Sequence, residues 1–119
     1  MNPLSLLRNQ VYMPWARIPS GELVDLPGRG TTYVTDTPGP TAEAPALVLL
    51  HALGCTGLLT WFPAIEALSR RYRVITLDQR WHGQGIHSEE FSLVDCADDA
   101  VALLDVLGLE SAMFGGHSM

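Results

Sequence analysis

Ser118 is the residue in this chain whose surroundings could do chemistry. It stands in Gly116-His117-Ser118-Met119, after a short apolar run from Ala112 to Phe114. The tetrapeptide matches the first four positions of the G-x-S-x-G elbow, in which a strand turns sharply and carries a serine at its tip. A serine hydroxyl is a weak nucleophile unless it is exposed, close to a base and beside donors for an oxyanion. A small residue is expected at Gly116, where the backbone doubles back. The same residues also read as a Gly-Gly turn with an ordinary surface serine, and four residues alone do not separate the two.

Other reactive side chains form no pattern of their own. Cys55 and Cys96 match no metal or redox spacing, and two free thiols in a reducing compartment are expected over a disulfide. His82 and His87 have no acidic or cysteine partner at ligand spacing, so neither a metal nor any other cofactor is expected. The net charge is −6 and all seven basic residues are arginines, with no basic cluster beside an aromatic stripe. No nucleic-acid partner is expected on that footprint. Arg70-Arg71-Tyr72-Arg73 reads as the solvated end of a helix. The start has no secretory look, and no apolar run approaches the roughly 20 residues of a membrane span. A cytoplasmic protein is the expectation.

The elements that must position Ser118 follow from pattern. Residues 1–21 read as an irregular lead-in, with Trp15 tucking against the domain. Residues 22–119 read as one partial α/β domain. Glu22–Leu26 and Thr31–Asp36 flank the turn residues Pro27-Gly28-Arg29-Gly30 and predict a hairpin. Ala46–Leu50 and Arg73–Leu77 are apolar runs suited to strands buried on both faces. Between them Trp61, Ile65 and Leu68 have helical spacing, with Pro63 expected in the first turn. Ser92 predicts a second helix as N-cap, with Asp95 three residues on. Leu93, Ala97, Val101 and Leu104 are expected to line its inner face, with Asp95, Asp98, Asp99 and Asp105 mostly elsewhere. Gly108 ends it, and 112–114 is the final strand. Alternating strands and helices predict a mostly parallel sheet behind a leading antiparallel hairpin.

Three motifs then sit in order at strand ends: His51-Ala52-Leu53-Gly54, Asp78-Gln79-Arg80-Trp81-His82-Gly83-Gln84-Gly85, and the serine tetrapeptide. Together they resemble the N-terminal half of the α/β-hydrolase superfamily, from about Leu23 to Met119. The resemblance implies a serine hydrolase of the esterase or lipase-like kind, with Ser118 as nucleophile and a small acyl substrate. It implies an oxyanion hole from the backbone N–H groups of Leu53 and Met119. His51, Gly54, Gly116 and His117 would shape the site, and Asp78 and His82 would tie loops together. Ala52 and Trp81 stand where the superfamily usually has glycine. Serine at 118 argues against the epoxide-hydrolase and haloalkane-dehalogenase branches, which attack with a carboxylate.

The triad order of that fold is Ser, then Asp or Glu, then His. The resemblance therefore implies the front half of an enzyme, cut just past the nucleophile and inactive by itself. Its strand 112–114 would be an open edge able to pair with other chains. Two other readings stay open: a non-catalytic interaction protein on the same scaffold, and a functionless truncated fragment.

Overall fold

Val48 and Leu49 are neighbours in the chain and belong to cores on opposite faces of one sheet. The computed structural model describes residues 18–119. The strands are β1 (Gly21–Leu26), β2 (Gly30–Thr37), β3 (Ala46–Leu50), β4 (Arg73–Leu77) and β5 (Met113–Gly116); the helices are α1 (Gly57–Leu68) and α2 (Leu93–Val106). The sheet order is β1-β2-β4-β3-β5. β1 and β2 form the antiparallel hairpin, β2 pairs antiparallel to β4, and β3 pairs parallel to both β4 and β5. Three parallel strands thus end side by side. The expectation for Trp15 lies outside the described residues.

Strand side chains alternate between faces, which splits the apolar residues into two sets. Val48, Ile75 and Leu77 pack with Leu103 and Leu104 of α2. Leu49 and Val74 pack with Ile65 of α1, flanked by Trp61 and Leu68. Each fully buried side chain of this size stabilises the fold by about 1.5–3 kcal/mol. Buried hydroxyls are bonded too: Thr35 Oγ1 of β2 lies 2.6 Å from Thr76 Oγ1 of β4, and Thr32 Oγ1 donates to the Asp78 carbonyl, in the loop after β4, at 2.6 Å.

Four expectations change. α1 begins at Gly57, where Thr56 caps it by accepting the Leu59 N–H at 3.1 Å, so Pro63 is an interior residue and not in the first turn. Pro63 is exposed, and having no N–H it cannot donate to the Leu59 carbonyl. In α2 the buried face is Cys96, Asp99, Ala100, Leu103 and Leu104. Leu93 and Val101 are 61% and 55% exposed. Asp99 lies on the inner face because it accepts from two arginines, Arg80 at 2.7 and 3.0 Å and Arg29 at 2.6 Å. This joins α2 to the hairpin turn and to the loop after β4.

The arginine run is the third change: α1 ends at Leu68, and Arg73 opens β4, where it pairs with Asp36 at 2.6 Å. The last is β5, which continues through Gly115 and Gly116, opposite Leu49 and Leu50. Ser92 caps α2 through the Asp95 N–H at 3.1 Å as expected, and Gly108 follows it with φ 70°.

Candidate active site

The elbow grows out of β5. His117 N–H donates to the Leu50 carbonyl at 3.3 Å, extending the ladder one step beyond the strand. Ser118 then takes φ 52°, in the left-handed region that costs an L-residue roughly 1–2 kcal/mol. The strain falls on the serine itself, and the glycines before it stay in the strand. A Cβ added at Gly116 would find only Leu50 Cβ, at 4.0 Å, so nothing among the described residues demands glycine there. Ser118, His117 and Gly116 are all exposed.

The loop after β3 meets the elbow directly. The Leu53 N–H donates to the Ser118 carbonyl at 3.0 Å. The backbone donor assigned to an oxyanion is therefore at the elbow and already engaged. The Leu53 side chain is 69% exposed. Gly54 carries the turn with φ 77°, while Ala52 is not among the non-glycine residues with positive φ, so alanine there needs no special backbone. The Ala52 N–H donates to Thr60 Oγ1 at 3.3 Å, and Trp61 Nε1 donates to the Leu50 carbonyl at 3.1 Å.

His51 is wholly buried. Its Nε2 faces the Gln79 N–H at 2.9 Å, which can only donate, so Nε2 is the acceptor. Nδ1 then carries the proton and donates to the Ala52 carbonyl at 2.8 Å. Burial pushes the His51 pKa below the ordinary histidine value; the neighbouring His82 adds to the drop, against the Ala52 bond and the Asp78 charge. With both nitrogens occupied, His51 has no free lone pair to act as a base.

The loop after β4 supplies the third wall. Asp78 accepts the Gly57 N–H at 3.0 Å on one oxygen and the Gln84 N–H at 2.9 Å on the other. A carboxylate at the start of α1 also suits the helix dipole. A Cβ at Gly83 would collide with Asp78 Oδ2, and one at Gly85 with the Gln79 carbonyl, so this turn admits no side chain at either position. Trp81 does adopt a glycine-like φ of 68°. Its ring lies 5.2 Å from that of Phe91, its Nε1 donates to the Ser88 carbonyl at 2.8 Å, and it does not line the cleft beside Ser118. His82 bonds the Arg80 carbonyl through Nδ1 at 2.8 Å and sets its ring edge-on to His51 at 4.8 Å. His87 is exposed.

These three walls enclose a cleft of about 420 Å³ lined by His51, Gln79, Cys96, His117, Ser118 and Met119, with Leu50 and the first turns of α2. Burial raises the Cys96 thiol pKa, so it stays protonated. Cys55 is also a free thiol. Among the described residues no group of three or more His, Cys, Asp or Glu is placed to hold a metal, and no helix is long and apolar enough to cross a membrane. Sequence reasoning missed Gln79. Its Nε2 donates to the His51 carbonyl at 3.2 Å and to Met119 Sδ at 3.4 Å, joining all three segments. Its only signal was its place inside the second motif.

Residues 45–119 match the family described as the alpha/beta hydrolase fold. The chain belongs to that family. An alpha/beta hydrolase of Acinetobacter baylyi, 3-oxoadipate enol-lactonase 1, is 40% identical over 91 residues, 76% of this chain and 34% of its own length. The solved enol-lactonase of Burkholderia xenovorans superposes with TM-score 0.70 at 30% identity, covering 82% of this chain and 37% of that one. An epoxide hydrolase structure from metagenomes of hot environments superposes with TM-score 0.74 at 31% identity, covering 85% and 34%. This alpha/beta hydrolase chain thus spans about a third of the length of the curated relative it matches. Backbone likeness alone does not choose between lactone and epoxide chemistry.

Proposed function

We propose that this chain carries the nucleophile and oxyanion loop of a serine hydrolase acting on carboxylic esters, lactones or related acyl compounds. The observation that supports this best is Ser118 itself. It is exposed, held at φ 52° just beyond the end of a parallel strand, and in backbone contact with the loop after β3. Sites in open α/β sheets form at those strand ends.

In this reading Ser118 Oγ adds to the acyl carbon and loses its proton to a base. The tetrahedral oxyanion is held by backbone N–H groups, the leaving group departs with a proton, and water releases the acyl group from the serine. Leu53 and Met119 are the proposed donors. For Leu53 the oxyanion would take the place of the Ser118 carbonyl, a local shift of the elbow. The base and its orienting acid are not assigned to His51, whose two ring nitrogens are committed within the protein, or to His82, which does not line the cleft. The enol-lactone named for the two relatives is an internal acyl ester and fits the same chemistry.

The test is covalent labelling by a fluorophosphonate followed by peptide mapping. In a protein that also carries the later strands of the fold, modification of Ser118, lost in Ser118→Ala and unaffected by Ser111→Ala, is the expected result. Labelling elsewhere, or none in a protein that also carries the later strands of the fold, would refute it.

A further inference from the structure

Gln79 is 4% exposed and lines the same cleft as Ser118. Its backbone N–H is committed to His51. Its side-chain nitrogen has two hydrogens. One is held by the His51 carbonyl at 3.2 Å, and the other is directed at the Met119 sulfur at 3.4 Å. A thioether is a weak acceptor. That second hydrogen is therefore a buried donor with only a weak partner. Any carbonyl or carboxylate oxygen entering the cleft is a better partner than the sulfur.

We infer that Gln79 is a specificity-determining residue that donates this second N–H to a substrate oxygen other than the scissile carbonyl, displacing the Met119 sulfur. The ligand class is an acyl compound with an additional oxygen acceptor in its acyl part, such as a keto group. A ligand that pushes the thioether aside without offering an oxygen leaves a buried donor unpaired, and binding weakens accordingly. The inference rests on the acyl-substrate reading of the cleft.

The experiment titrates the 119-residue chain with methyl 4-oxopentanoate and with methyl pentanoate, which lacks the keto oxygen, while amide NMR signals are followed. The keto ester should bind about three- to tenfold more tightly, as one neutral hydrogen bond allows, and should shift the Gln79 side-chain amide signals. Gln79→Glu and Gln79→Leu should each erase the preference while the β3 and β4 signals persist. Met119→Leu, which removes the competing sulfur, should keep or increase it. Equal affinity for the two esters, absence of any Gln79 shift, or a preference surviving in both Gln79 variants overturns the inference. If both Gln79 variants lose the sheet signals, loss of the preference in Met119→Leu overturns it and retention supports it. The nucleophile reading is judged separately, by fluorophosphonate labelling. A labelled Ser118 without ester preference sinks only the role of Gln79, and a preference without labelling sinks only the nucleophile.

Discussion

The ring of His51 and the backbone of Gln79 are joined by a hydrogen bond that exists in one protonation state. Nε2 of His51 accepts the Gln79 N–H at 2.9 Å. A proton on Nε2 would set two donors against each other. The folded protein therefore resists protonation of His51, whose pKa burial has lowered from 6.5. In the unfolded chain the same histidine takes up a proton near 6.5, so acid favours unfolding. Stability should be full above that value and fall as pH drops through it, toward the lower folded pKa. Thermal melts between pH 7.5 and 5.5 should show this slope, and ¹⁵N NMR should find His51 as the Nδ1–H tautomer. A stability that is flat over this range would contradict it.

Asp99 is 3% exposed and bonds Arg80 and Arg29 together. Asp99→Ala leaves Arg80 buried without its partner and should cost about 3–5 kcal/mol. Asp36→Ala, which breaks the partly exposed pair with Arg73, should cost at most about 1 kcal/mol. Urea denaturation of the two variants side by side checks the contrast.

Ser118→Gly relieves the left-handed backbone at φ 52°. The gain of about 1–2 kcal/mol is offset by glycine's extra unfolded freedom, about 0.5–1 kcal/mol. A net stabilisation near 0.5–1 kcal/mol is expected, read as a higher melting temperature. A lower melting temperature for the variant would show that the serine is not strained.

Gly83→Ala meets both a positive φ of 49° and the carboxylate of Asp78. It should destabilise by about 2 kcal/mol or more, since strained backbone and a displaced hydrogen-bond acceptor add. Gly28→Ala, with φ 75° and no atom within 4 Å of the added carbon, should cost about 1 kcal/mol from backbone alone.

Turnover of p-nitrophenyl acetate by the 119-residue chain should be close to that of free serine. His51 has both ring nitrogens bonded within the protein, and His82 does not line the cleft, so neither is placed to accept the serine proton. Loss of the activating base typically costs about a millionfold. Robust turnover that disappears in Ser118→Ala would contradict this.

Much of the scaffold was legible because its signals are local. The apolar runs 46–50 and 73–77 are strands with those very limits, and Ser92 and Gly108 bound the second helix as caps do. What sequence hid depends on distant partners. Asp99 reads as a solvent-facing carboxylate until Arg29 and Arg80, 70 and 19 residues away, are brought against it. Pro63 reads as a helix start because proline favours the first turn, whereas α1 begins six residues earlier at Gly57, behind its Thr56 cap. Gly115 and Gly116 read as turn residues, yet pairing with β3 holds them extended. The serine motif was visible, whereas Gln79 was not, because its three bonds reach two other segments.

β5 is a short margin strand held by β3, and Met113 and Phe114 remain nearly half exposed. The serine's posture depends on that attachment and on two further backbone bonds, from Leu53 and to Leu50. Among the described residues, loosening of β5 from β3 would therefore reach the serine before it reached the two buried cores. Peeling of one four-residue edge would disarm the hydroxyl while the hairpin, the two inner strands and both helices stayed assembled, so chemical competence and folding would be lost at different degrees of stress.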